Sequence, residues 1–290
     1  TYNISSFIRE YLEHLQPSGV TSQTINTTNE WCNVQVKRYK IVNSTTTLLN
    51  TTVYTAYDGY NEYAEGYNYN HGYITWDEGT YYYPVGVTNA GSILIDAQTN
   101  WTVKYTNLNT GASFTGASMN NRFYDIPCLY TTYASDGNKV EIFEGATLQK
   151  TFYFKPQDPC LYTPVVVDFI NRGGGWQRTY FFKASYDTFN VENTNYNLLQ
   201  GNLVNYDVKE GQRKSFNTIG KQTIKVNSDW VREDYKNVIK QLMMSERILV
   251  DNKPAILNTK SIDLMKHLNQ NMINYQMEFE YAYDINTTVV

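Results

Sequence analysis

The segment at residues 273–284 limits most strongly what this sequence can fold into, because large apolar and polar residues alternate there. One set of alternate positions carries Ile273, Tyr275, Met277, Phe279, Tyr281 and Tyr283, and the other carries Asn274, Gln276, Glu278, Glu280, Ala282 and Asp284. A period of two predicts a β-strand with one buried and one solvent-facing side. At ~3.3 Å per residue the segment spans roughly 40 Å, longer than the usual strand. We expect such a strand to cross a whole domain or to pair with another chain.

The rest of the sequence also favours strands over helices. The 290 residues include 27 Tyr, 12 Phe and 5 Trp, and only 18% are charged. Tyr and Thr suit a pleated, half-buried surface, and a chain with so many residues able to bury area is not disordered. Strands are predicted at 52–57, 72–76, 79–87, 93–95, 101–105, 139–143 and 148–154, with turn sequences such as Asp58-Gly59 and Glu144-Gly145 between such runs. This spacing predicts a mainly β fold built of β-sandwich or barrel-like domains.

Two segments have the periodicity of helices instead. Near the N-terminus Ile4, Phe7, Ile8, Tyr11, Leu12 and Leu15 recur at steps of three and four residues. A lone helix of about twelve residues is marginal in water, so its apolar stripe must dock on the domain's own core or on a neighbouring subunit. The second predicted helix is amphipathic and covers residues 228–246. Its N-cap would be Ser228 or Asp229.

The segment 155–159, Lys-Pro-Gln-Asp-Pro, is the best candidate for a domain boundary. We predict an N-terminal helix plus a Tyr-rich β domain over residues 1–155, and a C-terminal β domain with one helix over residues 156–290. In the second domain, two β-prone runs joined by Asn171–Gly175 predict a hairpin with a glycine turn. The Asn-rich stretch 190–211 is interpreted as a long excursion, and 221–226 as a strand.

The charge balance argues against nucleic acid as a partner. The chain carries 24 basic and 28 acidic residues, a net charge of −4, whereas proteins that bind phosphate backbones usually carry a basic surplus. The densest basic cluster, Lys37, Arg38 and Lys40, is interpreted as a solvated strand face. No apolar run approaches the ~18 residues of a membrane helix, and nothing resembles a signal peptide.

Catalytic and metal-binding patterns are missing from the sequence. The three His residues are scattered and the three Cys residues form no C-x-x-C pair, so no metal or other cofactor is expected. Cys32, Cys128 and Cys160 have two interpretations, one disulfide plus a free thiol or three reduced thiols, and the second is the simpler. The sequence around Gly173 lacks the Gly-Lys-Ser/Thr ending of a phosphate-binding loop, and no G-x-S-x-G elbow occurs. We predict that the protein is not an enzyme.

One segment, rich in Tyr and carboxylates, invites a hypothesis of binding. Its candidate contact residues are Tyr60, Tyr63, Tyr67, Tyr73 and Trp76. Aromatic rings stack on the apolar faces of sugars and acids accept bonds from their hydroxyl groups, so a glycan contact is one alternative. Tyr is also enriched at protein interfaces, where it buries a large area at low entropy cost. Packing or subunit contact is the favoured interpretation.

Short sequences dispersed over most of the chain carry a resemblance to a known family. In the second half they are Cys160–Pro164, Val167–Arg172, Gly175-Trp176-Gln177, Phe181-Phe182-Lys183, Phe216-Asn217-Thr218, Asn227–Val231, Leu242–Glu246, Asn258–Ser261, Asn274-Tyr275 and Phe279–Ala282. In the first half they are Asn3-Ile4-Ser5, Ile8–Leu12, Asp58-Gly59-Tyr60 and Glu65-Gly66, whereas residues 80–155 add little. With these residues the chain resembles tail or virion structural proteins of tailed bacteriophages and prophages with Bacteroidota-like hosts.

The resemblance implies a structural role in the tail, tail tip or baseplate, and it carries over no catalytic residues. We therefore predict a phage virion protein, made in the cytoplasm of the bacterial host, whose copies assemble into a ring or sleeve. Its expected partners are copies of itself and other virion proteins, with a host surface glycan as a further candidate. The alternatives are a receptor- or glycan-binding module of the particle and a capsid-associated structural protein.

Overall fold

The computed structural model describes residues 5–12, 20–27, 30–60, 72–129, 134–197, 213–262 and 272–285. Over these residues the chain is mainly β, with several antiparallel sheets and two α-helices, one near the N-terminus and one in the second half. The predicted fold class is thereby confirmed, and every strand predicted in the first half overlaps an observed strand.

The elements of the first half are one short helix and eleven strands. They are α1 (Ser5–Tyr11), β1 (Thr24–Ile25), β2 (Trp31–Val42), β3 (Thr45–Tyr57), β4 (Tyr73–Ile74), β5 (Gly79–Pro84), β6 (Ser92–Ala97), β7 (Trp101–Asn107), β8 (Ser113–Thr115), β9 (Arg122–Pro127), β10 (Asn138–Glu144) and β11 (Thr147–Gln157).

The elements of the second half are seven strands and one α-helix. They are β12 (Val165–Ile170), β13 (Trp176–Phe181), β14 (Tyr186–Asn197), β15 (Arg213–Arg232), α2 (Lys236–Met244), β16 (Ile248–Val250), β17 (Lys253–Leu257) and β18 (Met272–Tyr281). A 3₁₀ turn, Glu233–Tyr235, leads from β15 into α2.

The strands form four sheets. Their orders are β1-β9-β6-β4, β5-β11-β10-β7-β8, β13-β12-β16-β17-β18-β15-β14, and the pair β2-β3 by itself. Among these pairings only β5 with β11 is parallel. The first three sheets contribute buried residues to one hydrophobic cluster, whereas most residues of the β2-β3 pair are exposed.

The predicted alternation near the C-terminus is confirmed within β18, but the strand ends at Tyr281, and Tyr283, predicted on the buried side, is 40% exposed. Tyr275, Met277, Phe279 and Tyr281 are buried, and the residues between them are not. The strand lies inside the seven-stranded sheet, with β15 on one side and β17 on the other. Of the two expected possibilities for so long a strand, the structure therefore shows the one in which it crosses its own domain.

The predicted helix at 228–246 begins later than expected. Residues 230–232 still belong to β15, where Trp230, Val231 and Arg232 pair with β18, and α2 starts at Lys236. The predicted caps are wrong, because the Ser228 hydroxyl accepts the backbone N–H of Tyr275 at 2.9 Å. Pairing with β18 outweighs the local helical periodicity of Val231 with the residues that follow it.

The interpretation of the Asn-rich stretch 190–211 as a long excursion is also partly wrong. Its first residues belong to β14, which pairs along its length with β15. The 20-residue strand β15 is in turn much longer than the predicted strand at 221–226. Residues 198–212 lie outside the described part. The polar composition of β14 obscured the strand, since all twelve of its residues are exposed and it has no buried face to impose alternation.

The proposed boundary after residue 155 falls inside β11, which pairs with β5 as far as Gln157. Hydrogen bonds join the two sides of this boundary. The indole N–H of Trp76 donates to the Trp176 carbonyl at 3.0 Å, and the Tyr180 hydroxyl donates to the Asn89 carbonyl at 3.1 Å. Both sides also contribute to the same hydrophobic cluster. The division into two domains stays a prediction, and the two parts pack closely together.

A buried ion pair fixes the hairpin formed by β12 and β13. Asp168 and Arg178 lie opposite each other on the two strands, and Nε and Nη2 of Arg178 donate to the two carboxylate oxygens at 2.8 and 2.9 Å. Burial raises the pKa of the Asp168 carboxyl, and the bonds from Arg178 oppose this effect. Losing one partner of such a pair leaves an unpaired buried charge, which costs about 3–5 kcal/mol.

Asp125 on β9 makes stability depend on pH. Burial raises the pKa of this carboxyl from 3.8 to about 6, opposed by the bond from the Asn26 amide at 2.8 Å. The folded state thus binds the proton more tightly than the unfolded state, so the free energy of unfolding falls as pH rises through this window. We expect Asp125→Asn to remove about 1–3 kcal/mol of this fall. Urea unfolding midpoints measured from acidic to neutral pH check this.

The control for this prediction is Asp136→Asn, which replaces an exposed carboxylate in a turn. This variant should keep the pH dependence of the wild-type protein. If Asp125→Asn and the wild-type protein lose stability in parallel as pH rises, the assignment to Asp125 is wrong.

Candidate interaction surface

Three of the five residues predicted to form a binding site lie in the described part of the chain. Tyr60 and Tyr73 are partly buried, and Tyr63 and Tyr67 lie outside the described residues. Trp76 is fully buried, and its indole N–H is bonded to the Trp176 carbonyl. Trp76 is therefore a core residue, and the prediction that it makes a surface contact is wrong for this fold. A large aromatic that follows a strand and precedes a turn can face either way, so the sequence alone did not decide this.

Lys150 of β11 forms hydrogen bonds with the backbone around Trp76. Its ammonium group donates to the carbonyls of Ile74 and Trp76 at 3.1 and 2.5 Å. Burial lowers the pKa of Lys150, and the nearby carboxylates of Asp77 and Glu78 oppose this. The lysine thus has a structural role, tying the Tyr-rich segment to the five-stranded sheet.

β2 and β3 form a long exposed ribbon, which we call the β2–β3 arm (residues 31–57). Nine of the 12 residues of β2 and ten of the 13 residues of β3 are exposed. Its tip is a two-residue turn in which Asn43 and Ser44 have positive φ, as a type I′ hairpin turn requires. An isolated two-stranded hairpin is marginally stable in water. Among the described strands, β2 and β3 pair only with each other, so beyond its root the arm lacks the support that further strands would give it.

The side chains of the arm are unusual for a solvent-exposed ribbon. Eight large hydrophobic side chains are 44–71% exposed: Val36, Tyr39, Ile41, Val42, Leu48, Leu49, Val53 and Tyr54. The arm also carries three cations, Lys37, Arg38 and Lys40, and no Asp or Glu. These cations are exposed on β2, which confirms that the cluster is a solvated strand face. Exposed apolar residues concentrated on one feature mark an interaction surface.

The base of the arm is firmly attached to the body. The ring of Trp31 stacks on Phe123 of β9 with a centroid distance of 3.6 Å. The Tyr57 hydroxyl donates to Asp96 of β6 at 3.1 Å. Burial raises the pKa of the Asp96 carboxyl, and the bond from Tyr57 opposes this. The arm is thus anchored at its root and exposed along its length.

The turn Asn171–Gly175 between β12 and β13 forms a second attachment. The sequence correctly predicted a glycine turn here. It did not indicate that the backbone of this turn packs against the backbone near Tyr57 and Thr75. A Cβ on Gly173 would lie 2.1 Å from the Thr75 carbonyl oxygen, and one on Gly174 would lie 2.8 Å from Cβ of Tyr57. The N–H of Tyr60 also donates to the Arg172 carbonyl at 3.0 Å. We call this set of contacts the glycine clamp.

Helix α1 docks beside the root of the arm. Arg9 forms ion pairs with Asp58 at 3.2 Å and with Glu246 at 2.7 Å, and Leu12 is buried. Phe7 and Tyr11 remain 72% and 71% exposed. The predicted apolar stripe is therefore divided, with part of it on the chain's own body and part open to solvent. Phe7 and Tyr11 line a groove of about 720 Å³ between α1 and the first residues of β2.

The second exposed feature is β14, the edge strand of the seven-stranded sheet. Its twelve residues are all exposed, and Phe189 and Val191 are 59% and 51% exposed. It contains Asp187 and Glu192 and no Lys or Arg. Because β14 pairs only with β15 among the described strands, the outer row of its backbone N–H and C=O groups is unpaired there.

The described residues offer little reactive chemistry. Burial raises the pKa of the Cys128 thiol well above its ordinary value, so the thiol stays protonated and is a poor nucleophile. The same residues contain no group of three or more His, Cys, Asp or Glu that could hold a metal ion. No helix of the described part is long and apolar enough to cross a membrane.

Comparison with known proteins adds no further constraint. No family model, no curated protein and no solved structure matches this chain.

The glycine clamp is expected to be sensitive to a single methyl group. Gly173→Ala should lower the free energy of unfolding by about 1–3 kcal/mol, because the new Cβ meets a backbone carbonyl that cannot move freely. Gly79→Ala is the matched control, since its Cβ would have no neighbour closer than 4.0 Å. Urea unfolding of both variants measures the difference. Equal unfolding midpoints would show that the backbone at Gly173 can make room for a methyl group, contrary to the prediction.

Proposed function

We propose that this chain is a structural subunit of a tailed-bacteriophage particle, a component of the tail, tail tip or baseplate that assembles from several copies. The observation that carries the proposal is the β2–β3 arm, a long ribbon with apolar side chains exposed along both strands. The resemblance of the sequence to tail and virion structural proteins supports the phage context. The proposed role is mechanical, and it uses no catalytic residue.

The energetics of the arm favour a partner. Fully burying a Val, Leu or Ile side chain contributes about 1.5–3 kcal/mol. The eight large side chains of the arm are about half exposed, so covering them would contribute on the order of 5–10 kcal/mol before the entropy cost of association. That range is comparable with the stability of a whole domain. An arm of this kind would be well supported only inside an assembly.

Copies of the same chain are the favoured partner. Most oligomers of soluble proteins are symmetric, and symmetry repeats one modest contact around a closed ring. The arm, with the groove at its root, and the β14 edge are separate surfaces of one chain, as a head-to-tail contact repeated around a ring requires. Other virion proteins would then meet the outer faces of the assembly.

The glycan-binding alternative has less support. Trp76 would have been its strongest stacking platform, and it is buried in the core. What remains are the partly buried Tyr60 and Tyr73, together with residues outside the described part. A glycan array with the purified protein would revive this alternative if it showed binding that Tyr60→Ala abolishes.

A short-arm variant tests assembly directly. Val36 pairs with Thr52, so replacing Lys37–Thr51 with Asn-Gly closes the ribbon at that point with a favoured hairpin turn. We expect the wild-type protein to form oligomers and the short-arm protein to sediment as a monomer at the same concentration, because five of the eight exposed apolar side chains are removed. Sedimentation velocity and native mass spectrometry measure this.

The matched control is Ser44→Gly, which places an Asn-Gly turn at the tip of the full-length arm. It should assemble like the wild-type protein, since Ser44 already has positive φ. Circular dichroism should show that all three proteins are folded. A wild-type protein that stays monomeric at high concentration would refute the proposal, as would a short-arm protein that assembles equally well.

The phage context needs a separate observation. Cryo-electron microscopy of particles that contain this chain should place several symmetry-related copies in the tail or its distal end, with the arms in contact with neighbouring density. Location in the head would support the capsid-associated alternative. Absence from purified particles would contradict any virion role.

A further inference from the structure

Three long strand edges are unpaired in the described part of the chain, those of β2, β3 and β14. The other edge strands, β1, β4, β5, β8 and β13, have only two to six residues. Natural sheets usually keep their edges short, covered or charged, because an open edge is a template for pairing with another chain. The three long edges are therefore the places where a strand from outside can be added.

The charges on these three edges differ in a way that selects a partner. β2 carries Lys37, Arg38 and Lys40 and no acidic residue, β14 carries Asp187 and Glu192 and no basic residue, and β3 carries no charge. Opposite charges across neighbouring strands stabilise their pairing, and like charges destabilise it. β2 and β14 are thus complementary to each other and unsuited to pairing with a copy of themselves.

Most of these charges are available for a new contact. The three cations of β2 and the carboxylate of Asp187 are exposed and form no ion pair with another described residue. Glu192 lies 3.5 Å from Lys221, and both side chains are exposed to solvent. Exposed pairs of this kind contribute only about 0–1 kcal/mol, so the Lys221 pair is easily exchanged for a closer one.

The two strands also match in length and in apolar content. Each has 12 residues, which corresponds to roughly 40 Å. Each exposes apolar side chains beside its charges, with Val36 and Ile41 on β2, and Phe189 and Val191 on β14. Backbone hydrogen bonds would supply affinity along the whole edge, and the alternating side chains would supply specificity.

We propose that the β2 edge of one copy pairs with the β14 edge of the next copy. The β2–β3 arm then extends the neighbour's seven-stranded sheet by two strands. This contact is head-to-tail, because it joins two different surfaces of the same chain, and such contacts generate rings when the rotation closes. The inference rests on the proposed function and specifies which surfaces make the subunit contact.

Charge reversal with rescue tests this pairing. One variant combines Lys37→Glu, Arg38→Glu and Lys40→Glu, and the other combines Asp187→Lys and Glu192→Lys. Each alone should associate about tenfold or more weakly than the wild-type protein, because like charges then face each other. Mixing the two should restore assembly, since the acidic β2 meets the basic β14 and the basic β2 meets the acidic β14. Native mass spectrometry should show the two variants alternating in equal numbers.

A control variant reverses three exposed cations elsewhere, Arg122→Glu, Lys240→Glu and Lys260→Glu, with the same change in net charge. It should assemble like the wild-type protein. Thermal unfolding of each variant shows whether it is folded before association is compared.

The outcomes separate this inference from the proposed function. If the wild-type protein forms oligomers and either charge-reversed variant does so equally well, the contact uses another surface, such as β3, and this inference is wrong while the proposed function stands. Failure of the folded variants to assemble on mixing also refutes the pairing. If the wild-type protein never associates, both proposals fail.

Discussion

The glycine clamp is the contact on which the arrangement of the exposed surfaces depends. At Gly173 the backbone lies so close to the Thr75 carbonyl that a side chain would collide with it, and a Cβ on Gly174 would lie 2.8 Å from Cβ of Tyr57 at the root of the β2–β3 arm. The clamp belongs to the β12–β13 hairpin, which is held by the buried pair of Asp168 and Arg178. The clamp therefore connects the root of the arm to the seven-stranded sheet, while Trp31 and Tyr57 connect it to β9 and β6 of the four-stranded sheet. This tight connection would orient one docking surface relative to the other.

Buried polar groups in this protein serve attachment. Lys150, Asp96 and Asp168 are each withdrawn from water, and each is bonded to a group on a different element of the chain. A perturbed pKa in a cleft is often a sign of catalysis. Here the shifted groups lie where segments join, and the described residues around them hold no cluster that could bind a metal. In this protein the shifted pKa values accompany contacts that join separate elements of the fold.

Sequence patterns predicted most of the strands but missed β14 and misplaced the start of α2. β18 was identified from its alternation, because one face is buried and the other is not. β14 was missed, since it is exposed on both faces and nothing forced its residues to alternate. The start of α2 was misplaced because β15 continues through a helical pattern to pair with β18, a contact between residues distant in sequence. The burial of Trp76 and the packing of the glycine turn also depend on distant partners, so local pattern could not reveal them. The cations of the arm were noticed, but their relation to β14 appears only when both strands are seen as open edges.

Before any assembly forms, the open edges of the β2–β3 arm and of β14 are exposed to other chains. An unpaired strand with apolar side chains is attractive to any similar strand, including those of unrelated or misfolded chains. The same property that would suit this protein for a particle makes it vulnerable while it is free in a crowded cell. The cations of β2 and the carboxylates of β14 disfavour pairing of either edge with a copy of itself, whereas the β3 edge carries no charge and has no such protection. Correct association would then compete kinetically with aggregation, and the rate at which each new chain binds its correct neighbour would decide the outcome.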